Sequence, residues 1–159
     1  ISRGRLRRCV LWAAAAVAGL VAGAVLMVLD LLWATLVAGD SPWRSSHLVA
    51  AILMGPQVLG AVDFAPGIVT AALLTHYVLG VAFGCALAFL LVGFGWQGHA
   101  VAAPVIGALF GLALYVVDFY GMTRVFPWLI EMRGWPNLLA HVVFGVVAAG
   151  LYEWLGRRT

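Results

Sequence analysis

Long apolar segments that carry almost no charge dominate this chain. Residues 9–29 and 100–117 contain no charged side chain, and residues 64–98 and 134–152 contain only one histidine each. Because about 20 apolar residues cross a bilayer core as a helix, we predict four transmembrane helices. Their predicted ranges are 9–38, 67–94, 99–123 and 136–156. The composition agrees, with 65% hydrophobic and 9% charged residues and a mean hydropathy of +1.08. The predicted fold is an all-α membrane protein with a single integral membrane domain over 1–159.

The positive charges predict the orientation in the membrane. All nine are arginines, and six of them lie at the two ends of the chain, against Arg44, Arg124 and Arg133 in the connectors. Because basic residues favour the cytoplasmic side, we expect both termini in the cytoplasm of a bacterium and the protein in its inner membrane. The basic tails are too short to indicate nucleic-acid binding. We expect the first segment to be a helix rather than a cleaved signal peptide, because its apolar run is too long. The terminal arginines are Arg3, Arg5, Arg7, Arg8, Arg157 and Arg158.

An internal repeat relates the two halves of the chain, about 9–94 and 98–156. LLTHYVLGVAFGCALAFL at 73–90 aligns without gaps with LLAHVVFGVVAAGLYEWL at 138–155, and GLVAGAVLMVLD at 19–30 aligns with GALFGLALYVVD at 107–118. Each predicted repeat is a helix, an outer connector and a helix, so the fold is two tandem helix pairs. The short inner loop at 93–99 predicts that the second and third helices are neighbours.

The first outer connector is long enough to contain structure of its own. Its apolar stretch at 47–54 is too short to span a membrane, and Gly55-Pro56 interrupts it. We therefore predict a short outer interfacial helix between the first and second transmembrane helices. His47 in this connector and His99 in the inner loop are expected to be exposed to solvent. Cys9 and Cys85 are interpreted as small packing residues rather than a disulfide.

Four ionisable residues inside the apolar segments are the candidate site: Asp30, His76, Asp118 and His141. We call them the polar quartet. Polar groups in hydrocarbon are costly unless they face protein or a cavity. At 100° per residue, each shares a helical stripe with small residues, where membrane helices pack closely. The quartet should therefore face the bundle interior, and Tyr77, Tyr115 and Tyr120 could join it. The helix-packing glycines are Gly19, Gly23, Gly80, Gly84, Gly107, Gly111 and Gly145.

Three interpretations of the quartet remain open. It could tie the helices together through hydrogen bonds and have no further role. His76 and His141 could ligate b-type haem or a transition metal, with an Asp as hydrogen-bond partner. The Asp and His side chains could also form a proton or solute path. The first interpretation, with no cofactor, is preferred, because the sequence places only one His on each of two helices.

Several stretches resemble a family of small four-helix membrane proteins of proteobacteria that are often labelled sodium:proline symporters. They are SPWRSSHLVAAILMGPQVL at 41–59, THYVLGVAFG at 75–84, GALFGLALYVVDFYGMTRVFPW at 107–128 and AHVVFGVV at 140–147. The resemblance covers most of the chain and implies the four-helix topology. In that family an Asn more often stands at the position of Asp118, so the resemblance implies no mechanism that needs two carboxylates.

The functional expectation is a non-catalytic role. The sequence contains no HExxH, CxxC, phosphate loop or nucleophile elbow, the motifs that would indicate an enzyme. We expect an accessory or assembly subunit of a larger membrane complex, plausibly respiratory, that contacts lipids and a partner complex or another copy of itself. The alternatives are a haem- or metal-binding membrane protein that uses His76 and His141, and a minimal transporter or channel.

Overall fold

The computed structural model describes residues 3–60, 62–96 and 101–157. The secondary structure of this part consists of α-helices with short π-helical and 3-10 segments, and it contains no strand. The described fold is therefore all-α. Four helical segments are long and apolar enough to cross a membrane, which confirms the four-helix membrane fold. The α-helices are α1 (Arg3–Trp33), α2 (Arg44–Met54), α3 (Pro66–Gly93), α4 (Ala102–Val116) and α5 (Trp135–Gly156).

The helix limits follow local backbone chemistry. α1 continues into a π-helical turn at Ala34–Ala38, and Gly39 with φ of +67° then ends it in the left-handed conformation that glycine favours. α3 and α5 carry a proline in their first two positions, where the missing N–H is not needed. α4 runs into a second π-helical turn at Val117–Gly121. The predicted spans and the observed helices therefore agree within a few residues.

The predicted packing glycines lie where helices cross. A Cβ on Gly19 of α1 would overlap the carbonyl oxygen of Gly80 in α3, and a Cβ on Gly84 would lie 2.6 Å from the Cα of Gly19. In the second half, a Cβ on Gly107 of α4 would overlap the carbonyl oxygen of Gly145 in α5. The matched glycines of the two predicted repeats therefore make matched contacts. Backbones approach this closely only because no side chain stands between them.

One neighbour relationship differs from the prediction. α3 and α4 follow one another in sequence, yet they contact each other at few points, whereas α1 packs along α5. The prediction that the short inner loop makes α3 and α4 close neighbours is therefore wrong. The physical reason is that their glycine faces are already used, α3 against α1 and α4 against α5. A gap between α3 and α4 remains.

The two ends of the bundle are packed differently. The end that carries both termini, here the terminal end, has a core of alanines with Leu87 and Leu91 almost completely buried. The opposite end carries residues 34–65 and 117–134 and is here called the connector end. Its core is a smaller hydrophobic cluster of Tyr115, Phe119 and Leu129. Close packing at one end and looser packing at the other leaves room for a cavity near the connectors.

The first connector contains the predicted short helix, α2, but it is not exposed on all sides. α2 packs against α3, and it buries His47 together with Leu48, Ala50 and Ala51. The expectation that His47 is solvent-exposed is wrong, because only 3% of its surface is accessible. Its Nδ1 lies 2.6 Å from the carbonyl oxygen of Val58 and its Nε2 lies 3.0 Å from that of Asp63. His47 thus holds the segment that follows α2 against that helix. The other histidine expected to be exposed, His99, lies outside the described residues.

Ion pairs and hydrogen bonds join the two connectors. Arg44 of α2 contacts Glu131 of the second connector at 2.9 Å and Asp40 at 3.5 Å. The hydrogen bond to Glu131 raises the pKa of the Arg44 guanidinium. Trp128 donates its indole N–H to the carbonyl oxygen of Leu48 over 3.1 Å. Together these contacts hold the second connector, which has 3-10 turns at Met122–Arg124 and Pro127–Met132, against α2.

Candidate intramembrane binding cavity

A cavity of about 400 Å³ lies at the connector end of the bundle. The transmembrane helices form its walls, and α2 with the second connector covers it. Its lining is mostly apolar, with polar groups at a few points. The apolar and small lining residues are Gly23, Leu26, Met27, Val49, Ile52, Ala72, Leu73, Leu79, Gly80, Phe83, Leu114, Val117, Phe119, Met122, Phe126, Leu129, Met132 and Phe144.

All four members of the polar quartet line this one cavity. Asp30 comes from α1, His76 from α3, Asp118 from the π-helical turn after α4, and His141 from α5. Residues far apart in sequence are therefore brought to the same space, as the helical stripes predict. None of Tyr77, Tyr115 and Tyr120 is among the lining residues.

His76 ties α3 to α1. Its Nε2 lies 2.7 Å from the carbonyl oxygen of Gly23. Because a carbonyl oxygen only accepts, Nε2 carries the hydrogen and donates it. In the neutral ring, Nδ1 is then a hydrogen-bond acceptor. The glycine makes this bond possible, since a Cβ at Gly23 would stand 3.5 Å from the same ring nitrogen.

His141 makes a different set of contacts. Its Nδ1 donates to the carbonyl oxygen of Asn137 one turn earlier, over 2.7 Å. Its Nε2 lies 3.5 Å from Oδ2 of Asp118, and the side chains of His141 and Asp118 are 10% and 24% exposed. The rings of Tyr115 and Phe119 stand edge-on to His141 at 6.0 Å and 5.3 Å. In the neutral ring Nε2 then carries no hydrogen, so it faces Asp118 across a contact between α5 and the end of α4 rather than through a hydrogen bond.

Asp30 is the member of the quartet without a partner. It is half-buried and lines the cavity, but it makes no hydrogen bond or ion pair with any residue in the described ranges. Its counterpart in the predicted repeat, Asp118, has His141. The equivalent histidine, His76, is instead bonded to the backbone of Gly23. The two halves therefore differ at the polar positions although their glycine crossings match.

Three further polar residues line the cavity: Asn137, Ser45 and Ser46. Sequence analysis missed them. Asn137 donates its side-chain N–H to the carbonyl oxygen of Met132 over 2.9 Å, which leaves its side-chain oxygen as an acceptor. Its spacing of four residues from His141 places both on one helix face, and that signal was available in the sequence. Ser45 and Ser46 reach the cavity only because α2 folds back over α3.

The arginines near the connector end do not line the cavity. Arg133 donates to the carbonyl oxygen of Phe119 and to the hydroxyl of Thr123, and its guanidinium lies 4.3 Å from the centre of the Tyr120 ring. Arg44 is engaged by Glu131 and Asp40. The carboxylates of Asp30 and Asp118 therefore face a space whose described lining includes no arginine or lysine.

The hydrogen bonds limit how the histidines could hold a metal or haem iron. They leave Nδ1 of His76 and Nε2 of His141 as the available ring nitrogens. Across the described ranges, no group of three or more His, Cys, Asp or Glu side chains is arranged to hold a metal ion. Metal or haem binding by His76 and His141 therefore stays a prediction.

The cavity opens sideways, through the gap between α3 and α4. Leu79 of α3, together with Val117 and Met122 beyond α4, lines the cavity, yet these residues are 39%, 52% and 38% exposed. Exposed apolar side chains on membrane-spanning segments face lipid. The cavity is thus accessible from the bilayer.

In comparisons with known proteins, no family model, no curated protein and no solved structure matches this chain. The site is therefore interpreted from its own geometry.

Proposed function

We propose that this integral membrane protein has a non-catalytic binding role, in which the cavity holds a small molecule that arrives through the lipid. The observation that carries the proposal is the convergence of Asp30, His76, Asp118 and His141 on one apolar cavity. Small-molecule sites are typically concave, mostly apolar and supplied with a few converging polar groups. The volume of about 400 Å³ falls within the range of such sites, roughly 300–1,000 Å³.

The cavity opens towards lipid on one side and is closed towards the terminal end of the bundle. Both features support binding of a molecule from the membrane. Leu79 and Val117 stand at the opening between α3 and α4, where lipid-dissolved molecules can reach it. Towards the terminal end, the close-packed core around Leu87 and Leu91 begins, and neither residue lines the cavity. A continuous path for a solute would have to open this core. The geometry therefore favours a binding protein over a minimal transporter or channel.

An accessory or assembly role beside a larger, plausibly respiratory membrane complex stays a prediction. It is compatible with the cavity, because an accessory subunit can hold a ligand for its partner. Purification in mild detergent with an affinity tag, followed by mass spectrometry of co-purifying subunits, tests it. Recovery of the same partner in stoichiometric amount supports the role, and recovery of the protein alone under conditions that preserve membrane complexes speaks against it.

Blocking the opening tests the binding proposal. The probe is 2-naphthylmethanol, a neutral apolar molecule with one hydroxyl, measured by equilibrium dialysis against protein in phosphatidylcholine nanodiscs and against empty nanodiscs. Leu79→Trp places a large ring at the opening, and Leu74→Trp on the same helix is its matched control, because Leu74 is 59% exposed and does not line the cavity. We expect Leu79→Trp to weaken binding at least about tenfold and Leu74→Trp to leave it unchanged. Equal binding to all three proteins, or none beyond empty nanodiscs, would overturn the proposal.

A further inference from the structure

We propose that the molecule held in the cavity is a lipophilic amine in its ammonium form, with the carboxylate of Asp30 as its counter-ion. This inference rests on the proposed binding function and names its ligand class.

The available groups in the cavity are mainly acceptors. Asp30 has no partner among the described residues, so both of its carboxylate oxygens are available. His76 gives its Nε2 hydrogen to Gly23 and leaves Nδ1 as an acceptor. Asn137 gives its side-chain N–H to Met132 and leaves its oxygen. Asp118 has a second oxygen beyond the one that faces His141. A ligand that donates hydrogen bonds fits this lining.

Donors are scarce in the same space. With the histidines neutral, the donors that the described lining still offers are the hydroxyls of Ser45 and Ser46 and the second side-chain N–H of Asn137, and arginine and lysine are absent from it. An anionic ligand would face two carboxylates without a cation to balance it. A ligand whose polar end only accepts, such as a ketone or a quinone, would find few partners. Both ligand classes are therefore disfavoured relative to an ammonium group.

The apolar part of the lining suits the body of such a ligand. Phe83, Phe119 and Phe126 line the cavity together with leucines and methionines. Aromatic faces attract cations and pack against apolar groups. An amine that carries an aromatic or branched apolar body would thus place its ammonium group near Asp30 and its body among these side chains.

Three probes share a naphthyl group and differ in the charge of their polar group, so they distinguish the effect of charge from the effect of shape. They are 2-naphthylmethylamine, 2-naphthylmethanol and 2-naphthoate. Binding of each to the full protein in phosphatidylcholine nanodiscs at pH 7 is measured by equilibrium dialysis and corrected with empty nanodiscs. We expect the amine to bind about 10- to 100-fold tighter than the alcohol, the range that a hydrogen bond to a charged group supplies, and the naphthoate to bind most weakly.

Asp30→Asn tests the counter-ion. It keeps the shape of the side chain and removes its charge, and Asp63→Asn is the matched control, because Asp63 is exposed and does not line the cavity. We expect Asp30→Asn to weaken amine binding about 10- to 100-fold and alcohol binding by much less, so that the amine loses its preference over the alcohol; alcohol binding that remains above empty nanodiscs shows that the variant is folded. Asp63→Asn should bind all three probes as the unaltered protein does.

The outcomes distinguish this inference from the binding proposal beneath it. If the alcohol binds and is blocked by Leu79→Trp, but the amine binds no tighter or Asp30→Asn does not weaken it, the binding function stands and the amine assignment is wrong. Preferred binding of the naphthoate also contradicts the assignment, because the cavity would then favour an anion over an ammonium group. If no probe binds beyond empty nanodiscs, both proposals fail.

Discussion

The ring of His76 donates a hydrogen bond of 2.7 Å to the carbonyl oxygen of Gly23, and this contact joins α3 to α1 at the wall of the cavity. The carbonyl is reachable because Gly23 has no side chain. The same side chain therefore serves the fold and lines the proposed binding site.

His76→Phe should lower the stability of the protein without unfolding it. Removal of an interhelical hydrogen bond in a membrane protein costs about 1–2 kcal/mol. Unfolding in detergent micelles, followed by circular dichroism, measures the change. Val78→Phe is the control, because Val78 is 58% exposed on the same helix and lies away from the cavity. Equal stability of both variants and the unaltered protein would show that the His76 bond contributes nothing.

An optical spectrum of the purified protein separates this structural role from a haem ligand. We expect no Soret band in the unaltered protein, because the binding role proposed above needs no haem; Nδ1 of His76 and Nε2 of His141 are the nitrogens through which a haem would be ligated. A Soret band that disappears in both His76→Asn and His141→Asn would instead establish the haem interpretation and contradict the binding role proposed above.

Gly111→Ala should be strongly destabilising. A Cβ at Gly111 would overlap the carbonyl oxygen of His141 and stand 2.9 Å from the Cα of Val142, so α4 and α5 would have to separate. Overpacking of this kind costs about 1–3 kcal/mol. Gly150→Ala is the matched control in α5, because nothing lies within 4 Å of its Cβ position. We expect it to be neutral or to stabilise by up to about 1 kcal/mol, in keeping with the helix propensity of alanine. Similar effects of the two substitutions in micelle unfolding would contradict the close crossing.

The helical stripes predicted from the sequence explain why the quartet could be found before the structure. Asp30 and His76 lie on the glycine faces of α1 and α3, and a period of 3.6 residues is enough to place them towards protein. His47 could not be interpreted in the same way. Its burial depends on Val58 and Asp63, residues in an irregular segment whose path follows from tertiary contacts rather than from a local pattern.

Which helices pack against each other was harder to predict from the sequence than the residues at which each helix begins and ends. A short loop between α3 and α4 restricts the distance between two helix ends, but it does not decide which faces pack. The glycine faces decide this, and they direct α3 to α1 and α4 to α5. The cavity opens beside the gap between α3 and α4, so the entrance of the proposed binding site follows from a packing relationship that sequence analysis predicted wrongly. The internal repeat stays a prediction, with matching glycine crossings and differing polar contacts.

His47→Leu should loosen the segment that follows α2. It removes the ring whose two nitrogens contact the backbone carbonyls of Val58 and Asp63, one of which accepts its N–H in the neutral ring. Hydrogen–deuterium exchange at residues 56–60 should become at least about tenfold faster, the change expected for a loss of about 1.4 kcal/mol. Asp63→Asn keeps the backbone carbonyl and serves as the control. Unchanged exchange in His47→Leu would mean that other contacts hold this segment.

The predicted orientation is tested by labelling from one side of the membrane. With Cys9 and Cys85 replaced by serine, single cysteines at Gln57 and at Thr159 probe the first connector and the carboxyl terminus. Because arginines flank both chain ends, we expect a membrane-impermeant maleimide added outside the cell membrane to label Gln57→Cys and not Thr159→Cys. Labelling of both positions from the outside would contradict a model with cytoplasmic termini.

The most direct test of the binding proposal is a crystal structure of the protein in a lipid phase with 6-bromo-2-naphthylmethylamine, with the bromine located by its anomalous signal. The predicted result is one bromine peak inside the cavity between α3 and α4, with the ammonium nitrogen within hydrogen-bond distance of Asp30 and Phe83 or Phe119 beside the ring. A bromine peak confined to the surrounding lipid, or quartet side chains that point into lipid, would contradict it.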